Sequence, residues 1–354
     1  MFPFWKTVVE PILRASEARR IVEIGALRGE TTVLALETLP ADAELHVIDP
    51  LPEFDPAEHE RRFPGRYVFH RDLSLNVLHD APPFDLALID GDHNWYTVYN
   101  ELRLLRETSR RASQPLPVLV LHDVCWPYGR RDLYYEPSQI PAEFRQPYAR
   151  QGMRPGRRQL LNAGGFNVTL DNALEEGGPR NGVMTALDDF MAEHDRPLRR
   201  LVLPIYFGLA IVVEEELLAA RPALAALLDE IESPAGKDRL LDLSERIRID
   251  GAVFEHNIGR VRDAKLAQAN DRYLALLRSA LLDEHYIDNE LRIEYLLECA
   301  AQRRAPEPER LRDPMGTMRK EGRRLQDARR AGATRDDKGA TVYFPHTTMG
   351  SVRL

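Results

Sequence analysis

The chain has 354 residues, of which 44% are hydrophobic and 29% charged, so it has room for one large domain with an appendage, or for two domains. The net charge of -8 and the isoelectric point of about 5.8 argue against a protein that holds nucleic-acid phosphates. Two cysteines exclude a disulfide framework, and no apolar run approaches the roughly 20 residues of a membrane span. The start of the sequence also lacks the pattern of a signal peptide, so we expect a cytoplasmic protein without membrane or nucleic-acid partners.

After an amphipathic helix predicted over residues 4–19, residues 20–32 read Arg-Ile-Val-Glu-Ile-Gly-Ala-Leu-Arg-Gly-Glu-Thr-Thr. The β-branched run predicts a strand, and the segment after it predicts a helix from Glu30 to about Leu39. The two glycines between them form a loop whose backbone can approach a ligand, and the acid near the strand end can hold an amine or hydroxyl. An ordinary strand–helix turn is the alternative. The candidate ligand-binding residues are Glu23, Gly25, Gly29, Thr31 and Thr32.

The spacing of this loop is Glu-x-Gly-x-x-x-Gly, whereas a dinucleotide fingerprint is Gly-x-Gly-x-x-Gly. The stretch resembles the first motif of class I methyltransferases, which depend on S-adenosylmethionine (SAM). In that family the acid and the glycine loop face the methionine end of SAM. The resemblance therefore implies SAM as the cofactor.

The next two predicted strands also end in acids. Residues 44–49 predict a strand whose terminal Asp49 can accept hydrogen bonds from both ribose hydroxyls, as in nucleotide-binding α/β sheets. Residues 67–72 predict a third strand, and the resemblance implies that Asp72 lies near the adenine. Capping of the following turn by Asp49, and a plain surface position for Asp72, are the alternatives.

Polar residues gather at the ends of the fourth and fifth predicted strands, over residues 84–90 and 117–123. If these strands are neighbours, their ends meet at the sheet edge where open α/β sheets keep their active sites. Oxygen ligands there suit Mg²⁺ or Ca²⁺, and an imidazole favours Mn²⁺, Fe²⁺ or Zn²⁺. The alternative is that the last His-Asp pair only bonds the following loop. The residues concerned are Asp90, Asp92, His93, His122 and Asp123.

This pattern, Ile-Asp-Gly-Asp-His before a helix and an apolar strand ending in His-Asp, resembles the macrocin-type O-methyltransferases over roughly residues 5–215. That subfamily is linked to methylation of sugar and natural-product hydroxyls. The resemblance implies a divalent metal, with Mg²⁺ expected, on Asp90, His122 and Asp123. It implies a general base at Asp92, while His93 and His122 are the other candidates for removing the proton. Asp90 is also a candidate cofactor contact, and His122 stands where the subfamily usually has an acid.

Residues 126–179 show little periodicity and are rich in aromatic residues, Pro, Gly and Arg, which suits stacking on a sugar or phenol; a solvated basic loop is the alternative. A helix is predicted from Val183 to about His194. Two consecutive strands, over residues 201–206 and 209–213, must then pair antiparallel. The predicted fold is an α/β, Rossmann-like, doubly wound sheet with a terminal antiparallel hairpin, followed by a C-terminal helical extension. Such a hairpin is a hallmark of the methyltransferase family that the chain resembles.

We predict a methyltransferase domain over residues 1–215, a helical connector over 216–304 and a third region over 305–354. An apolar stripe in the connector favours self-association through residues 236–264, with packing on the first domain as the alternative. Residues 305–340 predict a polar linker, and residues 343–354 resemble the opening of a second macrocin-type domain or form a simple C-terminal peptide. The stripe consists of Leu240, Leu243, Ile247, Phe254, Ile258 and Val261.

These observations predict a SAM-dependent O-methyltransferase that acts on a hydroxyl of a sugar or natural product, is assisted by a metal and forms a homo-oligomer. An NAD-dependent oxidoreductase and a catalytically silent scaffold of the same fold are the alternatives. Calorimetry with SAM and with NAD separates the three.

Overall fold

The computed structural model describes the backbone of residues 1–280 and 284–330, and the side chains of residues 1–273 and 288–324. The chain divides after Val253 into two compact units. The first unit therefore continues beyond residue 215, the predicted end of the methyltransferase domain.

Ten strands occur in the described part of the chain. Their bounds are β1 (Arg20–Ile24), β2 (Glu44–Ile48), β3 (Tyr67–His70), β4 (Leu86–Ile89), β5 (Val118–His122), β6 (Leu133–Tyr134), β7 (Tyr148–Arg150), β8 (Asp171–Ala173), β9 (Leu198–Leu203) and β10 (Leu209–Glu214).

Seven of these strands form the central sheet, in the order β3-β2-β1-β4-β5-β10-β9. Strands β1 to β5 are parallel, whereas β10 is antiparallel to both β5 and β9. The inner strands are buried almost throughout, as expected when helices cover both faces of a sheet. The predicted fold class, including the closing antiparallel hairpin, is confirmed.

The described helices lie on both faces of the sheet and in the C-terminal region, and none is long and apolar enough to cross a membrane. The N-terminal helical segment consists of turns over Phe2–Phe4 and Trp5–Val9 that continue into α1. The bounds are α1 (Glu10–Ala15), α2 (Glu30–Thr38), α3 (Pro56–Arg62), α4 (Ser74–Asp80), α5 (Trp95–Arg111), α6 (Val183–Glu193), α7 (Glu215–Ala220), α8 (Pro222–Glu232), α9 (Pro234–Ala280), α10 (Glu284–Ala301), α11 (Pro308–Arg312) and α12 (Pro314–Arg330).

Two apolar layers hold the helices to the sheet. Helices α1, α2 and α8 supply the buried side chains of one face, and α4, α5 and α6 supply those of the other. The strand order changes direction between β1 and β4, so the carboxyl ends of these two strands open a crevice at the topological switch point.

The long segment over residues 126–179 contains regular structure that its aperiodic sequence did not predict. Strands β6, β8 and β7 form a small antiparallel sheet. Buried polar side chains hold it: Asn172 donates to three backbone carbonyls, and Asp132 accepts from the backbone N–H groups of Trp95 and Gly182. These strands have only two or three residues and are held by side-chain hydrogen bonds. They therefore lack the alternating apolar pattern by which a strand is predicted from sequence.

The predicted apolar stripe on α9 is divided. Leu243 is buried, and Leu240 and Ile247 pack half-buried against the core of the first unit. Phe254 and Ile258, further along the same helix, are exposed. Packing on the first unit thus holds for the part of the stripe up to Ile247, and self-association stays a prediction.

In the second unit, residues 308–330 form α11 and α12, where the polar sequence predicted a linker. The guanidinium of Arg310 stacks on the ring of Tyr295 in α10, 4.4 Å from its centroid. Arg292 also donates to the carbonyl of Leu311. Arginine contacts therefore order a segment that has few apolar residues of its own. The predicted second-domain motif at 343–354 lies outside the described residues.

Candidate active site

The glycine loop after β1 lies in the crevice and requires its glycine for two reasons. Gly25 has φ of +82°, a conformation that side chains disfavour. A Cβ on it would also lie 2.4 Å from the Cα of Gly91, just after β4. Gly29, with φ of +73°, ends the loop at the start of α2. The loop and the end of β4 are therefore in close backbone contact.

Asp49, the predicted ribose ligand, bonds the glycine loop. One of its carboxylate oxygens accepts from the N–H groups of Ala26 and Leu27, both at 2.9 Å, and the other accepts from that of Leu51 at 2.8 Å. A carboxylate has about four acceptor positions, so these bonds leave room for one further donor. Leu27 and Leu51 are exposed beside it and give the crevice an apolar rim.

The remaining predicted cofactor residues lie at different depths. Glu23 is buried and accepts a hydrogen bond from the hydroxyl of Thr32 at 2.6 Å. Burial raises the pKa of Glu23 to about 8, against the opposing effect of Thr32. Thr31 is half-buried in the first turn of α2. Asp72 is exposed and accepts from the N–H of Leu73 at the start of α4.

Four predicted residues do converge at the ends of β4 and β5. Nδ1 of His122 lies 3.1 Å from an oxygen of Asp90 and 2.9 Å from one of Asp123. Nε2 of His93 lies 3.0 Å from the same Asp123 oxygen and 3.8 Å from Asp90. The terminal amine of Met1 donates to the second oxygen of Asp90 at 2.6 Å. Two carboxylates and two imidazoles thus form one cluster.

The two histidines of the cluster differ in what their rings bond. Nε2 of His122 lies 3.1 Å from the carbonyl oxygen of Tyr206, so both ring nitrogens of His122 have oxygen partners. Burial lowers the pKa of His122, but the charge of Asp90 and bonds to Asp90 and Asp123 outweigh it and raise the pKa to about 9. By contrast, Nε2 of His93 makes no aligned hydrogen bond within the described residues, despite its proximity to Asp123.

One ligand atom from each of Asp90, His93 and Asp123 lies within 4.8 Å of the others, which is the spacing of a metal site. The sequence predicted His122 in this set; Nδ1 of His122 is also close to both carboxylates, but both of its ring nitrogens have oxygen partners. The sequence does not show whether His93 or His122 keeps a ring nitrogen without a hydrogen bond.

Asp92, the predicted general base, is turned toward the start of α5. Its two oxygens accept from the hydroxyl of Thr97 at 2.7 Å and from the N–H of His93 at 3.0 Å. Burial raises the pKa of Asp92, against the effect of the Thr97 bond. The structure therefore does not group Asp92 with the three clustered ligand atoms.

Sequence reasoning indicated aromatic residues in the segment over 126–179 but missed those in the turn between β9 and β10. The hydroxyl of Tyr135 lies 3.3 Å from Nδ1 of His93. Tyr206 and Phe207, in the turn between β9 and β10, have φ of +42° and +66°, and Asp123 has φ of +59°. Strained residues of this kind cluster at functional sites. The Tyr-Phe-Gly sequence of the turn gave no indication of this, because its role depends on the antiparallel pairing of β10 with β5.

Trp126 and Phe166 extend this aromatic wall. The Trp126 and Phe166 rings lie 5.6 Å apart, and Phe166 lies 5.8 Å from Phe207. The ring of Tyr206 lies 5.9 Å from that of His122. The side of the cluster that faces the segment over 126–179 is therefore lined with rings.

One protein family matches the part of the chain that contains this site. Residues 22–124 match a family described as "Methyltransferase domain". No curated protein sequence matches the chain. The matched segment begins within β1 and ends just after β5, so it contains the glycine loop and the residues clustered at the ends of β4 and β5.

Several solved structures are similar at low sequence identity. The O-methyltransferase TomG from Streptomyces achromogenes, involved in tomaymycin synthesis and crystallised with SAM, is 16% identical, with 59% of this chain and 78% of TomG covered and a TM-score of 0.35. An O-methyltransferase from Bacillus cereus in complex with SAH is 14% identical, with 60% and 81% covered and a TM-score of 0.37. The SAH-bound methyltransferase PaMTH1 from Podospora anserina is 16% identical, with 58% and 76% covered and a TM-score of 0.33.

Proposed function

We propose that the protein is a SAM-dependent O-methyltransferase that acts on a hydroxyl of a sugar or natural product with the assistance of a divalent metal. The observation that carries this proposal is the cluster of Asp90, His93 and Asp123 beside the glycine loop, at the switch point of the sheet. Catalysis of this kind is chiefly alignment of the acceptor oxygen with the methyl group and removal of the hydroxyl proton.

SAM supplies a methyl group that is already activated by its sulfonium. The residues proposed to hold it are those of the Gly25–Gly29 loop, with Asp49 for the ribose and Asp72 for the adenine side. The open N–H groups at the start of α2 and the remaining acceptor position of Asp49 support this assignment. Glu23 is proposed to act indirectly, because its carboxyl bonds Thr32 beneath the loop.

The donor set fits a divalent metal. Two carboxylates and one imidazole lie within ligand spacing of each other, and the buried Nε2 of His93 is without an aligned hydrogen bond in the described residues. Such a set suits Mg²⁺, with the imidazole favouring Mn²⁺, Fe²⁺ or Zn²⁺. A metal here would supply Lewis acidity that lowers the pKa of the acceptor hydroxyl. His122 is proposed to orient Asp90 and Asp123 rather than to bind the metal, since its other nitrogen bonds the carbonyl of Tyr206.

O-methyl transfer without a metal is the second candidate function. The distance of 3.0 Å between His93 and Asp123 is that of a base and its orienting carboxylate, and Nδ1 of His93 faces Tyr135. In this metal-free mechanism His93 takes the hydroxyl proton. Burial lowers the pKa of His93, but the charge of Asp123 outweighs it and raises the pKa well above its usual range. A protonated histidine can neither accept a proton nor bind a metal, so His93 must lose its proton in either form.

Two experiments test these proposals. Calorimetry should show binding of SAM and none of NAD; binding of NAD alone indicates an oxidoreductase, and binding of neither indicates a silent scaffold. Turnover with a phenolic or sugar acceptor should then fall on addition of a chelator and return with Mg²⁺ or Mn²⁺. Turnover that a chelator leaves intact removes the metal from the proposal and assigns proton removal to His93.

A further inference from the structure

His93 is held in place by groups of the long segment that follows β5. Its backbone carbonyl accepts a hydrogen bond from the N–H of Leu133, the first residue of β6, at 3.0 Å. Two tyrosine rings pack near its imidazole, with centroids at 5.6 Å for Tyr128 and 5.9 Å for Tyr135. The hydroxyl of Tyr135 lies 3.3 Å from Nδ1 of the imidazole. This segment therefore contacts both the backbone and the side chain of a proposed metal ligand.

Tyr135 follows directly on residues that anchor β6 beside His93. The carboxylate of Asp132 accepts from the N–H of Trp95 at 2.8 Å and from the hydroxyl of Tyr134 at 2.7 Å. Tyr134 is buried, whereas Tyr135 is 58% exposed. A hydroxyl on so exposed a side chain can bond water, so burial does not force its contact with His93. The contact therefore suggests a role in the site rather than in the packing of the small sheet.

The two ring nitrogens of His93 face different groups. Nε2 lies 3.0 Å from Asp123 and 3.8 Å from Asp90 but makes no aligned hydrogen bond within the described residues. Nδ1 faces the hydroxyl of Tyr135. A neutral imidazole carries one proton, and the nitrogen that binds a metal carries none. If Nε2 binds the metal, the proton is on Nδ1, and the oxygen of Tyr135 is its acceptor in the described structure.

We infer that Tyr135 is a positioning residue for His93. Its hydroxyl oxygen accepts a hydrogen bond from Nδ1–H and thereby directs the unprotonated Nε2 at the two carboxylates of the cluster. This role of Tyr135 rests on the metal site of the proposed function. Imidazoles that bind metals commonly donate their other N–H to an oxygen, and loss of that oxygen lowers metal affinity about 10- to 100-fold.

Tyr135→Phe tests this role, because it removes the hydroxyl and keeps the ring. Calorimetry of the full chain with Mn²⁺ should show a dissociation constant raised about tenfold or more. Helix content by circular dichroism and the affinity for SAM should stay unchanged. Tyr148→Phe is the matched control, since Tyr148 is a partly exposed tyrosine of the same small sheet whose ring packs on Tyr134. The control should bind Mn²⁺ like the unmodified chain.

Nitrogen-15 NMR with Zn²⁺, which is diamagnetic, locates the proton on the ring. In the Zn²⁺-loaded chain, Nε2 of His93 should be the metal-bound nitrogen and Nδ1 the protonated one. The signals of His93 are identified by their absence from the spectrum of His93→Gln. In Tyr135→Phe the proton on Nδ1 should exchange faster with water, because its acceptor is lost. A purely structural role of Tyr135 would not change this exchange rate.

Unaltered Mn²⁺ affinity in Tyr135→Phe overturns the positioning role, and so does Zn²⁺ bound to Nδ1 of His93. An equal loss of affinity in Tyr148→Phe assigns the effect to the small sheet as a whole and also overturns it. If the unmodified chain binds neither Mn²⁺ nor Zn²⁺, the positioning role fails together with metal assistance. Binding of SAM in the same samples separates that result from failure of the methyltransferase proposal, which requires SAM but not the metal.

Discussion

Buried carboxylates occur in two contrasting environments in the first unit. Glu23, on β1, and Glu101, on α5, are buried beside hydroxyl groups, and burial raises the pKa of each to about 8. Asp123, after β5, is also buried, yet its pKa is lowered, because the charge of His93 and the charge and hydrogen bond of His122 outweigh burial. Burial alone does not distinguish a functional carboxylate from a structural one. The neighbouring imidazoles favour the ionised form of Asp123.

The largest effect is expected at the cluster. Asp123→Asn removes the charge next to both imidazoles, so turnover should fall about 100-fold or more. Calorimetry with Mn²⁺ should show a matching loss of metal affinity, while SAM affinity stays within about threefold, since the glycine loop is untouched. If turnover is unaffected, the cluster is not the catalytic centre, and the lowered pKa of Asp123 has no role in turnover.

A smaller effect is expected at Asp49. Asp49→Ala removes charge-assisted hydrogen bonds to Ala26, Leu27 and Leu51, each worth about 1.5–3 kcal/mol. Both the melting temperature and the affinity for SAM should fall, the latter at least about tenfold.

Asp72→Ala serves as the matched change, because Asp72 is a predicted cofactor acid that is exposed and bonds only neighbouring residues of α4 in the described structure. It should weaken SAM binding less than Asp49→Ala and leave the melting temperature nearly unchanged. If Asp49→Ala lowers the melting temperature but leaves the SAM affinity unaltered, Asp49 stabilises the loop and does not bind the ribose.

The smallest effect is expected at Glu101, which accepts a hydrogen bond from Ser74 and has a second oxygen without a partner in the described structure. Its folded pKa of about 8 exceeds the ordinary 4.5, so the folded state holds one more proton than the unfolded state between these values. The free energy of unfolding therefore decreases as pH rises from 4.5 to 8.

Glu101→Gln removes this dependence and keeps an acceptor for Ser74. The variant should melt about 2 °C or more above the unmodified protein at pH 8, and near it at pH 5. Thermal melts at the two pH values provide the measurement. An equal shift at both values would show that Glu101 is ionised in the folded protein.

The sequence predicted the sheet well because its inner strands are short β-branched and apolar runs, each ending in a glycine or an acid. The approach of Asp90, His122 and Asp123 followed from the parallel pairing of β4 and β5, whereas Asp92, for which the same argument predicted convergence, is bonded to Thr97 at the start of α5. Three features of the structure could not be predicted from the sequence. The orientation of the His122 imidazole depends on the carbonyl of Tyr206, in a turn that is distant in the sequence. The small sheet of β6, β7 and β8 depends on Asn172 and Asp132. Which part of the α9 stripe is covered depends on where the first unit ends.

The turn between β9 and β10 has a consequence for engineering the protein. Hairpin turns usually tolerate insertions, tags and new chain termini. Here the carbonyl of Tyr206 bonds His122, and that of Phe207 accepts from the N–H of Cys125 at 2.7 Å. A Cβ on Gly208 would lie 2.6 Å from the sulfur of Cys125. A peptide inserted at this turn, or a circular permutation that opens the chain there, should disable the active site while the sheet itself still folds.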